Sequence, residues 1–346
     1  MRFIALLVII LGCMAIPTVL IAQGCMGGDD EEGVQVKGFF QPQIEYGMYG
    51  EDNEELAFTF NRARFGLVGS IPYDVSYYFF LEASPFKTGT PYVLDAFITY
   101  SRLEPYLTVS IGQFKSPYSM ELNTSCAGLH TIRRSLAVTN LAAPGRDVGI
   151  MLLGNYQEYV RYSFALMNGT GKGVWDNNMG KDIAGRIVIT PIKPVSLGGS
   201  FRMGKSAPAT VGAEDEDEMT RFAGELQLEY AGFMVQGEYL LGENIGSIPI
   251  TGGCGDIIGY EQGTAKSGGM FVQGMYLTPW NIQPVVKYES YDPDTDTDDN
   301  LQQIITFGFN YFLNDWTRIQ MNYLYKAEEG NEIENDELLV QFQVQF

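Results

Sequence analysis

From residue 34 onward, apolar side chains recur at every second position. In 338–346, Leu338, Val340, Phe342, Val344 and Phe346 share one face, and Gln341, Gln343 and Gln345 share most of the other. In 221–230, Phe222, Leu226, Leu228 and Tyr230 oppose Arg221, Glu225, Gln227 and Glu229. In 316–325, Ile319, Met321, Tyr323 and Tyr325 oppose Arg318, Gln320 and Asn322; in 282–289, Ile282, Val286 and Tyr288 oppose Gln283, Lys287 and Glu289. A period of two is the signature of a strand that buries one face. Sixteen such segments are predicted, near 34–46, 56–69, 73–84, 92–102, 105–114, 146–155, 158–169, 181–190, 195–204, 218–230, 232–243, 266–278, 281–291, 300–312, 315–326 and 336–346. Segments 105–114 and 266–278 fit either face assignment. No amphipathic helix and no apolar run of spanning length follows residue 33.

The connections alternate in length. Short ones fall near Ile71-Pro72, Glu104, Gln157, 191–194, Ala231, Trp280 and Leu313-Asn314; long ones cover 47–55, 115–145, 170–180, 205–217, 244–265, 292–299 and 327–335. A soluble β-sandwich would also alternate, but with compact loops at both ends. The polar faces carry Arg, Lys, Glu, Gln and Asn on many strands, too much charge for a packed soluble core and well suited to a water-filled lumen. Most segments reach the roughly 9–11 residues that a tilted membrane strand needs. The chain therefore reads as all-β: a transmembrane antiparallel β-barrel of about sixteen strands over 34–346, with its long loops outside and both termini on the periplasmic side.

Composition refines this picture. Aromatic residues make up 13% of the chain and glycines number 40, which suits strands and tight turns. The formal net charge of −20 excludes a general nucleic-acid binder, which needs a basic footprint. Many of the acids cluster in the outer loops at 51–55, 214–218, 292–299 and 328–337, so the net charge says little about the interior. Residues 1–22, with Arg2 followed by a nearly continuous apolar run, are expected to be an export signal. A membrane anchor is the alternative, opposed by Pro17 and by the lack of a basic flank; residues 23–33 then form an acidic periplasmic tail. Cys13 would leave with the signal. Cys25, Cys126 and Cys254 remain: either Cys25 is lipidated and Cys126 bridges Cys254, or Cys25 is a free thiol in the tail.

Chemistry-bearing motifs are few. His130 is the single histidine, so a two-histidine metal site is impossible. The run from Asp292 resembles the start of a calcium loop but has Thr297 where glycine is required and Gln303 where a bidentate glutamate is required. It reads as a solvated outer loop with at most a loose divalent-ion contact. No nucleophile–base set or acid–base pair in an apolar cleft is evident, so no enzyme activity, cofactor or resident metal is expected. One connection stands apart. Residues 115–146 carry Lys115, Arg133, Arg134 and Arg146 against Glu121 as the only acid, together with Leu122, Ile132, Leu136, Val138 and Leu141. A loop this apolar would not hang in water. It is expected to fold inward over 115–145 and narrow the channel; packing at a subunit interface is the alternative.

Five stretches carry a family resemblance: FNRARFGLVGSI at 60–71, LDAFITY at 94–100, GQFKSPYSMELNTS at 112–125, IRRSLAV at 132–138 and APGRDVGIMLLG at 143–154. Together they resemble the phosphate-selective porins, the porin O and P family of Gram-negative outer membranes. The resemblance implies a sixteen-stranded barrel, a homotrimer, an inward third loop and basic residues that guide anions. Lys115 and Arg146 match the family's GQFK and GRD motifs, and Arg62 and Arg64 its RARF motif. Arg133 stands where the family commonly has Glu, and no rich basic ladder of the kind associated with strict phosphate selectivity is present. Arg62, Arg64, Lys115, Arg133, Arg134 and Arg146 are thus the candidate anion-guiding residues; pairing with lumen acids such as Asp95 or Asp147 is their alternative role. The terminal Phe346 resembles the signal that barrel-assembly machinery reads on outer-membrane proteins. Outer-membrane lipid, that machinery and small anions such as phosphate are the implied partners. A channel for neutral solutes such as carbohydrates, or a closed barrel serving as an adhesin or structural protein, are the other functions the sequence allows. The outer-loop acids are expected to slow anion entry but to be largely screened at mid-barrel, because charge is screened over about 8 Å in physiological salt and an apolar barrel band is about 25 Å tall; a modest anion preference, weakened by salt, is the expectation.

Overall fold

The computed structural model describes residues 33–48, 54–84, 90–209, 215–251, 257–328 and 335–346. The expected signal, the acidic tail, Cys25 and Cys254 lie outside the described residues. Sixteen strands form: β1 (Gly33–Met48), β2 (Glu54–Ile71), β3 (Val75–Glu82), β4 (Tyr92–Leu103), β5 (Leu107–Lys115), β6 (Arg146–Tyr156), β7 (Val160–Met167), β8 (Asp182–Ile192), β9 (Val195–Ser206), β10 (Asp217–Tyr230), β11 (Phe233–Thr251), β12 (Ile257–Tyr276), β13 (Ile282–Asp292), β14 (Gln302–Asn314), β15 (Thr317–Glu328) and β16 (Glu337–Gln345). Each pairs antiparallel with its sequence neighbours, and β1 closes on β16 through Phe40 opposite Val344 and Gln43 opposite Gln341. Closure removes both sheet edges, as hydrocarbon requires.

The period-two pattern dictates the two faces. Ile150, Leu166, Ile187, Phe222, Val286 and Phe342 are exposed on the outside, while their neighbours Met151, Ala165, Arg186, Arg221, Lys287 and Gln343 are buried inside. Exposed aromatics ring the end with the short turns: Tyr73, Tyr106, Tyr156, Tyr230, Trp280 and Trp316. This is the interfacial girdle of a membrane barrel. The tight turn after β2 places Tyr73 and Asp74 at φ of 73° and 61°, the left-handed region whose twist matches that of the flanking strands. At the closing seam the Phe346 amide donates to the Gly38 carbonyl (2.9 Å) and the Gly38 amide to the Phe346 carbonyl (2.8 Å). The Phe346 ring lies 5.4 Å from that of Phe40.

One expected loop is largely strand. Residues 244–251 and 257–265 extend β11 and β12, with pairing that runs from Glu243 opposite Lys266 to Thr251 opposite Ile257. Ile245 and Ile248 supply β-branched side chains that favour this, despite the glycines that suggested a loop.

The connection between β5 and β6 turns into the barrel. It carries two short helices, α1 (Met120–Asn123) and α2 (Leu136–Leu141). Tyr118, Met120, Leu122, Val138 and Leu141 pack on Leu240 and Phe271 of the inner wall. Ile132 and Leu136 pack on Ile304, Leu324 and Leu339. The apolar residues that made this loop anomalous in the sequence are thus the ones that bind it to the inner face of β11–β16.

Candidate functional site

Polar fixings hold the loop where the apolar contacts put it. The carboxylate of Glu238 on β11 caps α1, accepting from the Met120 amide (2.9 Å), the Glu121 amide (3.1 Å) and Ser119 Oγ (3.0 Å). Such donors have no partner within the helix, and a carboxylate satisfies them best. Glu121 in turn accepts from the Ser135 amide at the start of α2 (2.7 Å) and from Lys287 Nζ (3.2 Å). Lys287 also pairs with Glu289 (2.8 Å), whose other oxygen accepts from the Leu136 amide (3.2 Å). One buried lysine and two buried carboxylates therefore tie both helices to β13.

Between the helices the loop lies along a shelf of amides. Gln343 donates to the Ala127 carbonyl (3.2 Å), Gln320 to Leu129 (3.2 Å), Asn310 to His130 (3.0 Å) and Asn61 to Ile132 (3.4 Å). Asn322 Oδ1 accepts from the Ile132 amide (2.7 Å). The amides also bond one another, Gln341 to Gln320 (2.7 Å) and Gln320 to Asn310 (2.7 Å). This corrects the simplest reading of the C-terminal glutamines. Gln341 and Gln343, on the polar face that suits a water-filled lumen, are buried instead; Gln343 satisfies the irregular backbone of the loop, and Gln341 bonds the Asn61 and Gln320 side chains that do so. Gln345 does border the lumen cavity.

The loop places its basic residues unequally. Arg62 and Arg64 share the inner face of β2, Lys115 ends β5, Arg134 precedes α2, and all four surround Cys126. Arg64 Nη1 donates to Cys126 Sγ at 2.8 Å, and Arg134 donates to it from both terminal nitrogens at 3.5 Å. Burial pushes the Cys126 thiol up, but the charges of Arg134, Arg64, Arg62 and Lys115 outweigh it and hold the group well below the usual thiol range. Arg64 also pairs with buried Glu82 (2.8 Å). Arg62 donates to Gln41 Oε1 (2.9 Å). Lys115 donates to the Thr124 carbonyl (3.3 Å), which Arg134 shares at 2.9 Å. Arg134 spends further donors on the Glu121 and Leu122 carbonyls, so it braces the loop as well as charging it.

Arg146 grips Asp95 with a two-pronged contact of 2.8 and 3.0 Å and borders the same cavity as Arg64 and Lys115. Asp147, the other acid named as a pairing partner, accepts instead from the Val148 and Gly169 amides. Arg133 is separate: it pairs with Glu337 (2.5 Å) near the outer mouth and is 42% exposed. Arg62, Arg64, Lys115, Arg134 and Arg146 thus gather around one region in which Glu82 and Asp95 are the paired carboxylates.

That region borders a lumen cavity of about 760 Å³ whose lining also includes Phe39, Tyr78, Phe80 and Leu94. This wall carries no clear period of two, because β3 reads VSYYFFLE with consecutive aromatics. Only Glu82 at its end marks the inward face. Arg318 was likewise not singled out. It is buried beside the Gln41–Gln343 amide pair, donating to Gln343 Oε1 at 3.0 Å.

No group of three or more His, Cys, Asp or Glu side chains is arranged to hold a metal among the described residues. In the Asp292 loop, Asp294 accepts from the Asp296 amide and the Thr297 hydroxyl, closing the turn on itself. His130 faces Gln283 Oε1 at 3.1 Å; burial, partly opposed by that hydrogen bond, lowers its pKa to about 4, so it is neutral at pH 7.

A closed sixteen-stranded barrel with an apolar outer band, an aromatic girdle and an inward loop is the architecture of an outer-membrane diffusion channel. The chain belongs to the phosphate-selective porin O and P family, whose model matches residues 34–220, more than half its length. It is a porin of the Gram-negative outer membrane, and channels rather than enzymes make up this family. Its fold is similar to that of the anion-selective porin from Comamonas acidovorans, with a TM-score of 0.71 at 13% identity over 91% of this chain and 100% of that one. It is also similar to the outer-membrane channel DcaP of Acinetobacter baumannii, with a TM-score of 0.64 at 14% identity over 92% and 99%. The trimer form of OmpT from Vibrio cholerae gives 0.58 at 11% identity over 91% and 100%. At these identities the likeness is one of fold. No protein of curated function matches the sequence significantly.

Proposed function

We propose that the porin prefers small anions, phosphate among them, and that the preference arises at the inner end of the constriction loop. The observation that carries this reading is the gathering of Arg62, Arg64, Lys115, Arg134 and Arg146 around Cys126 and the adjoining cavity, where basic groups outnumber the paired carboxylates Glu82 and Asp95. Within a few ångströms and at reduced effective dielectric, such an excess outweighs the screened acids of the outer loops, since a 4 Å contact is worth about 4 kcal/mol before desolvation. The mechanism is passive. An anion exchanges part of its hydration for the basic groups and leaves again because no single site closes around it. Arg133, engaged at the outer mouth with Glu337, would act earlier on the path and more weakly.

The test is single-channel conductance of the purified protein in chloride, with phosphate added in steps. Conductance that phosphate reduces at low concentration supports the anion reading. Conductance indifferent to phosphate points to a channel for neutral solutes, and its absence to a closed barrel. A homotrimer is part of the proposal, supported by the family and by the trimeric form of the OmpT neighbour, and checked by native mass spectrometry in detergent. Phe346 is proposed as the assembly signal; deleting it should lower the membrane-inserted fraction more than the conductance of molecules that do insert.

A further inference from the structure

The cavity beside the basic cluster is larger and less polar than an inorganic anion needs. At about 760 Å³ it lies in the range of pockets that enclose small organic molecules. Its lining combines the bases Lys37, Arg64, Lys115 and Arg146 and the carboxylate Asp95, which Arg146 holds, with Phe39, Tyr78, Phe80 and Leu94. An apolar wall is unusual inside a barrel of this kind, whose interior is generally polar. Part of it is filler: Phe80 and Leu94 are buried against Val68. Phe39 and Tyr78 differ, for both remain partly exposed on the lumen side.

Tyr78 is held flat. Its ring stacks on Phe80 at 4.5 Å and 8° and on Phe97 at 5.1 Å and 15°. Phe39 lies under the Arg64 guanidinium at 5.9 Å, which couples the aromatic and basic sides in one place. Fixed rings present area to a ligand at little cost in conformational entropy. Gln35 and Gln345, at the ends of β1 and β16 near the chain's periplasmic seam, also border the cavity, so it is reached from the periplasmic side.

We propose that this vestibule is a binding site for organic anions that combine a carboxylate with an aromatic body, the carboxylate toward Arg64, Lys115 and Arg146 and the ring toward Phe39 and Tyr78. It rests on the reading of the channel as anion-preferring and adds a class of solute to it. The inorganic anion uses the basic side alone; the aromatic carboxylate uses both sides and dwells longer.

The experiment is block of the chloride current in planar bilayers by benzoate and by acetate, which carry the same charge and carboxylate. Benzoate should half-block at a concentration about tenfold below that of acetate, and more strongly from the periplasmic side, a ratio in keeping with one added aromatic contact. In Phe39→Ala/Tyr78→Ala the benzoate value should rise about tenfold to meet that of acetate, with acetate block unchanged. Equal block by the two carboxylates in the unmodified porin overturns the proposal, and that comparison needs no variant. Tyr78→Ser alone serves if the double variant does not insert; full retention of benzoate block in it also overturns the proposal. Reversal potentials in potassium chloride on the same membranes separate the two readings. Anion preference with equal block removes only the vestibule site, whereas cation preference removes both.

Discussion

The inner wall of the barrel has two halves that use the same alternating pattern differently. On β11–β16 the inward side chains are consumed by the constriction loop. Glu238 caps α1, Lys287 sits between Glu121 and Glu289, and a shelf of glutamines and asparagines meets the backbone of 127–132. There Lys287 is matched by two carboxylates, whereas buried Arg318 meets the neutral Gln343. On β1–β6 inward side chains line the lumen cavity, Arg64, Lys115 and Arg146 among them together with Phe39 and Tyr78. The difference teaches that the number of basic residues inside a barrel says little about selectivity. Lys287, Arg186 and Arg202 are all inward and buried, and each is bound to a carboxylate, Arg186 to Glu225 and Arg202 to Asp182, just as Arg64 is to Glu82 and Arg146 to Asp95; the cavity half differs in that Arg62, Lys115 and Arg134 crowd the same region as those pairs. Selectivity is expected where positive charge exceeds its partners.

The largest effect should come from breaking the loop-holding half. Lys287→Met leaves Glu121 and Glu289 buried without their cation, a change that costs about 3–5 kcal/mol. The loop should unseat, seen as proteolytic cleavage within 116–145 of the intact barrel and as a larger, noisier conductance. Ile132→Ala opens a hole against Ile304, Leu324 and Leu339 and should weaken seating by about 2–4 kcal/mol, in the same assays.

Acid should act in the same direction through His130. Its pKa is about 4 in the folded loop against about 6.5 for a free histidine, so the unfolded or unseated form binds the proton more readily. The contribution is complete above about pH 6.5 and falls away as the pH drops toward 4, by up to about 3 kcal/mol. Loop cleavage should therefore rise across that window and do so less in His130→Gln.

On the other half the changes should be electrical and not structural. Cys126→Ser removes a thiol that Arg134, Arg64, Arg62 and Lys115 hold well below the usual thiol range against the effect of burial, so anion preference should increase slightly in reversal-potential measurements. An unchanged or decreased preference would mean that the thiol carries no charge in the assembled channel.

Much of this was legible in the sequence. The strands follow from period two, and the inward loop follows from Leu122, Ile132 and Val138 standing where a solvated loop would be polar. Arg64, Lys115 and Arg146 were picked out, and they do meet at one cavity. What the sequence hid depended on partners far along the chain. Gln341 and Gln343 read as a wet wall because nothing local reveals that Gln343 meets the Ala127 carbonyl of the loop or that Gln341 meets Asn61 and Gln320. Glu121 read as the loop's odd acid until Lys287, 166 residues away, explained it. The aromatic wall was missed because consecutive aromatics in β3 erase the alternation that would assign faces.

The most direct measurement is the reversal potential of the purified porin in a potassium chloride gradient, before and after Arg64, Lys115 and Arg146 are each replaced by glutamine. The expected result is chloride over potassium in the unmodified channel, with the preference reduced in each variant and lowest when all three are combined. Cation preference in the unmodified channel, or an anion preference that survives the combined replacement, would contradict a selectivity set by this cluster.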